Sequence, residues 1–192
     1  MNTRDLTPSE SLEVITRMIR QSERRIERKF YLPYLIWGWL TLIVGVAVYL
    51  LIPEYGVNAF FGWLALPIIG ILLTVMTSRK VEGGLNKIDK IIDTAWTVIG
   101  TNVILVSFLV TPPLFIIMLL LSIAQAIAGF ALGVKVLKAT SMLGLVVTYA
   151  YGAYFSHHLS IADQTLYFSI VIFLINIIPG YYFMSKRRQS SK

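Results

Sequence analysis

The sequence predicts an all-α polytopic membrane protein, with six transmembrane helices preceded by an amphipathic cytoplasmic helix. Three observations carry that prediction. The 192-residue chain is 56% hydrophobic and only 14% charged, with mean hydropathy +0.72, a balance foreign to disordered chains and to soluble domains of this size. Apolar runs close to the ~20 residues needed to cross a bilayer recur along it. Every one of the 17 Lys and Arg residues lies outside those runs.

Residues 1–31 form the first unit. Thr7-Pro8-Ser9-Glu10 supplies a capping hydroxyl, Pro at the first helical position and Glu three residues after the cap, which together mark a helix start. Within that helix Leu12, Ile15, Ile19, Ile26 and Phe30 recur on one face, and Arg17, Arg20, Arg24 and Arg28 stripe the opposite one. The unit is strongly charged and lacks the apolar core of a secretory signal, so the first membrane helix is expected to act as its own insertion signal. Pro33 predicts a kink or a restart where the chain meets the membrane.

The bundle occupies 32–184, with apolar segments at about 32–52, 59–77, 94–111, 113–134, 140–156 and 165–184. The first, LPYLIWGWLTLIVGVAVYLLI, carries no charge across a length of ~30 Å. The fifth is the shortest. Before the third, Leu85, Ile88, Ile92 and Trp96 recur at helical spacing after Gly83-Gly84, so that helix is expected to begin as an amphipathic turn. Docking of this turn on the N-terminal helix would cover both apolar faces. A basic tail, 185–192, closes the chain.

Charge assigns the sides. With the N-terminus inside, residues 1–31, 78–93, 135–138 and 185–192 hold all 17 Lys and Arg, and the opposite loops keep only Glu54, His157, His158 and Asp163 among ionisable groups. The positive-inside rule then places both termini in the cytoplasm. The net charge of +7 and pI near 9.7 follow from this sorting. A nucleic-acid partner is not expected, because one basic helix is not a folded basic domain.

No ionisable side chain sits within the hydrocarbon part of a segment, so the usual signature of proton- or ion-coupled transport is missing. Asn102, Gln125 and Asn176 are the strongest polar groups expected inside the bundle, as interhelical hydrogen-bonding groups ahead of substrate contacts. Gly129 and Gly133 form a GxxxG that lets two backbones approach, within the chain or between two copies of it in a homo-oligomer. Trp37, Trp39, Trp63, Trp96, Tyr149, Tyr151 and Tyr154 read as interface anchors. Lys186, Arg187 and Arg188 are placed to meet lipid headgroups.

Catalytic chemistry finds no foothold. There is no Cys, and HExxH, GxSxG, P-loop and GxGxxG patterns are absent. His157 and His158 diverge by ~100° if helical and have few further ligands nearby, so neither a metal nor another cofactor is expected, and the pair reads as a helix cap.

The run Leu6-Thr7-Pro8-Ser9-Glu10-Ser11-Leu12, with Met18-Ile19-Arg20 and then Trp37-Gly38-Trp39-Leu40, resembles an uncharacterised family of small bacterial inner-membrane proteins. The resemblance covers mainly the first forty residues. It implies a multi-pass protein of the bacterial inner membrane that accompanies cytoplasmic transcription regulators, and brings no catalytic residue, cofactor or ligand. The expected function is therefore a non-enzymatic regulatory or interaction module, in which Leu12, Ile15, Ile19 and Ile26 present a face to a cytoplasmic protein partner. The alternative expectation is a small oligomeric transporter or channel for a neutral or lipophilic solute, with Asn102, Gln125 and Asn176 lining its path.

Overall fold

The computed structural model describes residues 8–77, 87–109, 113–155 and 158–190. All regular structure among them is helical: α1 (Pro8–Tyr55), a 3-10 segment (Gly56–Leu64), α2 (Ala65–Thr77), α3 (Lys87–Leu109), α4 (Leu114–Leu132), α5 (Lys135–Ala150) continued by a π-helical turn (Tyr151–Phe155), and α6 (Ile161–Ser190). Five stretches are long and apolar enough to cross a membrane: Phe30–Thr77, Lys90–Leu109, Leu114–Leu132, Lys135–Tyr154 and Ile161–Gln189. Hydropathy along the sequence counts six segments. The difference arises because 32–52 and 59–77 fall in one continuous helical run, their connection being itself a 3-10 helix.

That run nevertheless reverses direction. Gly56, with φ of 56°, ends α1 in the left-handed region, where only glycine is at ease. Val48 then stands against Gly62, and the Trp37 ring lies against Gly70, where an added Cβ would come within 2.8 Å of it. Thus α2 runs back along α1.

The restart expected at Pro33 does not occur: α1 continues through both Pro33 and Pro53 for 48 residues. A proline removes one ladder bond, and flanking helix packed on a neighbour compensates for that loss. Here the neighbour is α6, which lies antiparallel to α1. A Cβ on Gly38 would sit 3.2 Å from Asn176 Cβ, and one on Gly180 2.8 Å from the Leu35 side chain, so paired glycines let these two backbones approach. The boundaries of the other elements shift both ways, α4 falling just within 113–134 while three others start earlier. α3 starts at Lys87, α5 starts at Lys135 rather than 140, and α6 extends past both ends of 165–184. With its π turn, the fifth segment is no longer short.

Among the described residues the core gathers in three clusters, one of Val44, Val48 and Ala59 between α1 and the turn into α2 and two toward opposite ends of the bundle. At one end Phe30, Tyr34, Ile92, Ala128, Leu137 and Phe183 pack together, with Trp96 and Tyr182 beside them. Lys90, Lys135, Lys138, Lys186, Arg187 and Arg188 flank these residues in the chain. At the other end Leu114, Met118, Tyr151, Phe168, Val171, Ile172 and Ile175 form the cluster, with Phe60, Trp63 and Tyr167 against it. The described basic residues therefore cluster at the first end, and Glu54, His158 and Asp163 at the second.

Candidate functional site

Buried polar side chains converge on the seam between α4, α5 and α6. Gln125 and Ser122 of α4 and Thr140, Ser141 and Thr148 of α5 are all buried, whereas the buried Ser169 of α6 faces Gly45 of α1. Gln125 is the node joining the three helices. Its Nε2 donates to Thr140 Oγ1 of α5 at 2.9 Å and to the Ile175 carbonyl of α6 at 2.8 Å. The Thr140 hydroxyl donates in turn to Val136 O at 2.9 Å, leaving its lone pair for the amide.

The Ile175 carbonyl is available for a definite reason. In an α-helix it would accept the N–H of the residue four positions on, and that residue is the buried Pro179, which has none. An unsatisfied carbonyl in an apolar interior is costly, so a donor from another helix is worth having there. Gln125 supplies it. Hydropathy and polarity single out Gln125 but not its partners Thr140 and Ile175. The signal was present in Pro179, an interior proline whose position names the orphaned carbonyl.

Toward the second end, Tyr151 OH donates to Gln164 Oε1 at 2.8 Å, Gln164 Nε2 donates to Leu159 O at 3.0 Å, and the Tyr151 and Tyr167 rings stack at 5.3 Å. Tyr151 is only 2% exposed. It is thus an internal tie rather than an interface anchor, while Tyr149 and Tyr154 are exposed. Ser160 and Asp163 cap α6 reciprocally: Asp163 N–H donates to Ser160 Oγ, and the Ser160 hydroxyl to Asp163 Oδ2 at 2.6 Å. His158 is exposed with its ring 4.6 Å from that of Tyr154, and takes no part in the cap. His157 lies outside the described residues.

The three amides expected in a common interior do not meet. Asn176 is buried, donates to Ile172 O of its own helix at 2.8 Å and faces Gly38 of α1. Asn102 is exposed on α3, where Nδ2 donates to Val98 O at 2.8 Å. The interior position expected for Asn102 is therefore corrected: α3 turns Ile92 and Ile99 inward, and Asn102 falls on a different face.

The GxxxG also splits. Gly129 lets α4 approach the start of α5, since a Cβ there would sit 2.9 Å from Lys138 N. A Cβ on Gly133 would meet nothing within 4 Å among the described residues, and Gly133 instead ends α4 with φ of 68°, its N–H and that of Val134 closing on Phe130 O and Gly129 O. Expected as a packing residue, Gly133 is a helix stop.

Of the N-terminal face, Leu12 is 69% exposed, and the side chains of Ile15, Ile19 and Ile26 lie outside the described residues. At the far end of that face Phe30 is buried against Phe183, ring centroids 6.4 Å apart. The basic tail returns to the same place: Lys186 Nζ lies 5.4 Å from the Tyr182 ring, and the Arg187 guanidinium 4.8 Å from that of Tyr31. Between α1 and α2, Leu35, Ile36, Trp39, Leu40, Ile43 and Leu73 line an open apolar groove of about 310 Å³, whose chemistry suits an acyl chain.

Among the described residues no three His, Cys, Asp or Glu side chains gather as metal ligands. The seam offers a carboxamide and hydroxyls engaged with one another and with carbonyls, Ser122 Oγ alone among them being buried with no partner among the described residues. Such a set holds helices together. No protein-family model, curated protein or solved structure matches the chain.

Proposed function

We propose that the protein is a non-enzymatic regulatory or interaction module of the bacterial inner membrane. It crosses the membrane six times with both termini in the cytoplasm, and binds a cytoplasmic protein through its N-terminal helix. The antiparallel return of α2 along α1 supports the sixth crossing, and the gathering of basic side chains beside Phe30 and Phe183 supports the orientation. The membrane itself is the second partner, with Lys186, Arg187 and Arg188 at the headgroups.

One observation carries the regulatory reading. α1 runs unbroken from Pro8 to Tyr55, so the amphipathic face beginning at Leu12 belongs to the same helix that pairs with α6 through Gly38 and Gly45. A helix of that length, ~70 Å, transmits a push or a twist along its axis, and a partner on its exposed end gains a mechanical route to the bundle. The transport reading takes second place because its solute path required Asn102, Gln125 and Asn176 to converge.

Photo-crosslinking from native membranes, with the reactive group at Ile19, tests this reading. A crosslink to a cytoplasmic polypeptide, lost when Ile15 and Ile26 are replaced by Ser, is the expected result. A crosslink confined to residues 87–96 of the same chain would make the helix part of the bundle's own floor and overturn it.

A further inference from the structure

We infer that α3 pairs with α3 of a second copy of this chain, in parallel, through a stripe centred on Asn102. The inference rests on the membrane reading above. Ile91, Ala95, Val98, Asn102, Leu105 and Leu109 are spaced alternately four and three residues apart, the repeat that presents one seam of a helix to another. The stripe is open in the monomer: Ile91 is 56%, Val98 54%, Leu105 54% and Leu109 81% exposed, and Asn102 is exposed among them.

Lipid alone would satisfy the apolar members of this stripe. It would not satisfy Asn102. That residue lies about 10 Å from the Leu109 end of the span and about 18 Å from Lys90, deep within a hydrocarbon layer of ~30 Å. One N–H of its amide reaches Val98 O, and among the described residues Oδ1 and the second N–H have no such partner. Hydrocarbon offers neither donor nor acceptor, so these groups call for another helix.

A carboxamide is its own complement, donating with nitrogen and accepting with oxygen. Two copies inserted with the same orientation hold α3 parallel and at the same depth, so Asn102 meets Asn102 and the flanking Val98 and Leu105 interdigitate about the pair. A single Asn within an apolar seam fixes register and number of strands in this way. The hydroxyls on either side of Asn102 do not compete for the role. Thr97, Thr101 and Ser107 each donate to a carbonyl four residues back, at 2.7, 2.8 and 2.8 Å, which occupies the one proton of each hydroxyl.

The chain has no Cys, so single-cysteine variants of the full protein report pairing without background. Val98→Cys and Leu105→Cys, oxidised in native membranes, are expected to form disulfide-linked dimers in clear excess over Ile104→Cys. Ile104 is also exposed, at 45%, but lies about 140° round the helix from the seam. In dilute detergent Asn102→Leu should weaken dimerisation by about 3- to 30-fold, and Asn102→Gln should recover most of the loss. Equal crosslinking at all three sites, disulfides only to a different polypeptide, or an Asn102→Leu dimer of undiminished strength would overturn the pairing. Alkaline washing of the same membranes separates the two readings: a chain that washes off refutes the membrane assignment, whereas one that stays and forms no dimer refutes the pairing alone.

Discussion

α6 and α3 are both apolar helices interrupted by hydroxyls and carboxamides, yet they deal with these groups in opposite ways. In α6 the span is 39% buried, and Gln164, Thr165, Ser169 and Asn176 all lie inside. In α3 the span is 6% buried, and Thr97, Thr101, Asn102 and Ser107 all face outward. The two sequences look alike in composition; what separates them is the neighbour. α6 meets a helix whose Gly38 and Gly45 admit its backbone and a second whose Gln125 reaches the carbonyl that Pro179 releases. α3 meets α4 on one side, and a Cβ on Gly100 would meet nothing within 4 Å among the described residues. Polarity within an apolar helix says that a partner is needed, and small residues and prolines elsewhere say which partner can come close.

The contrast is broken most strongly at the glycines. A Cβ on Gly45 would overlap Ser169 Oγ, clash with Ser169 Cβ at 2.5 Å and crowd the Trp63 ring at 3.2 Å, so Gly45→Ala should force α1 and α6 apart at a cost of about 3 kcal/mol. Gly100→Ala on α3 meets open space and should stabilise by about 0.5–1 kcal/mol, because alanine loses less backbone entropy in a helix. Thermal unfolding of the two variants in detergent measures both. Equal shifts would mean that the α1–α6 approach is not a tight one.

The next test addresses the node itself. Gln125→Leu leaves the Ile175 carbonyl without a donor and should cost about 1–3 kcal/mol. Pro179→Ala restores the N–H that closes on that carbonyl within α6, so the Gln125→Leu cost should fall by at least half in that background. A double-mutant cycle on unfolding free energy reads the coupling. Additive effects would show that the amide and the proline act independently, and that Thr140 alone keeps Gln125 in place.

How much of this was legible beforehand follows the same division. Hydropathy located the helical elements, and charge sorting anticipated the end of the bundle where Lys90, Lys135 and Arg187 gather. Hydropathy is a one-dimensional signal, however, and does not report which way a residue faces. Asn102 and Gln125 were indistinguishable by that measure, and the partners of Gln125 lie 15 and 50 residues away in the chain. Gly129 and Gly133 look equivalent as a spacing, yet one permits a close approach and the other a left-handed turn; the adjoining Val134 and Lys135, where the apolar run stops, hinted that the helix ends between them. The continuity of α1 through Pro33 was hidden for a different reason, since the loss at a proline is a local quantity and its compensation comes from tertiary packing.

The smallest expected effect is the one that sharpens the contrast most. Asn102 on α3 makes no bond to another helix of its own chain among the described residues, and its one hydrogen bond there runs back to Val98 O. Asn102→Leu should therefore leave the unfolding free energy of the detergent-dispersed monomer within about 0.5 kcal/mol of the parent, even as it weakens dimerisation. Gln125→Leu should do the reverse, destabilising the monomer without changing the strength of self-association. Measuring both quantities on both variants separates an amide that builds the bundle from one that joins two bundles. If Asn102→Leu lowered monomer stability as much as Gln125→Leu does, α3 would have to pack back onto its own chain through that face. The distinction between an inward-facing α6 and an outward-facing α3 would then fall.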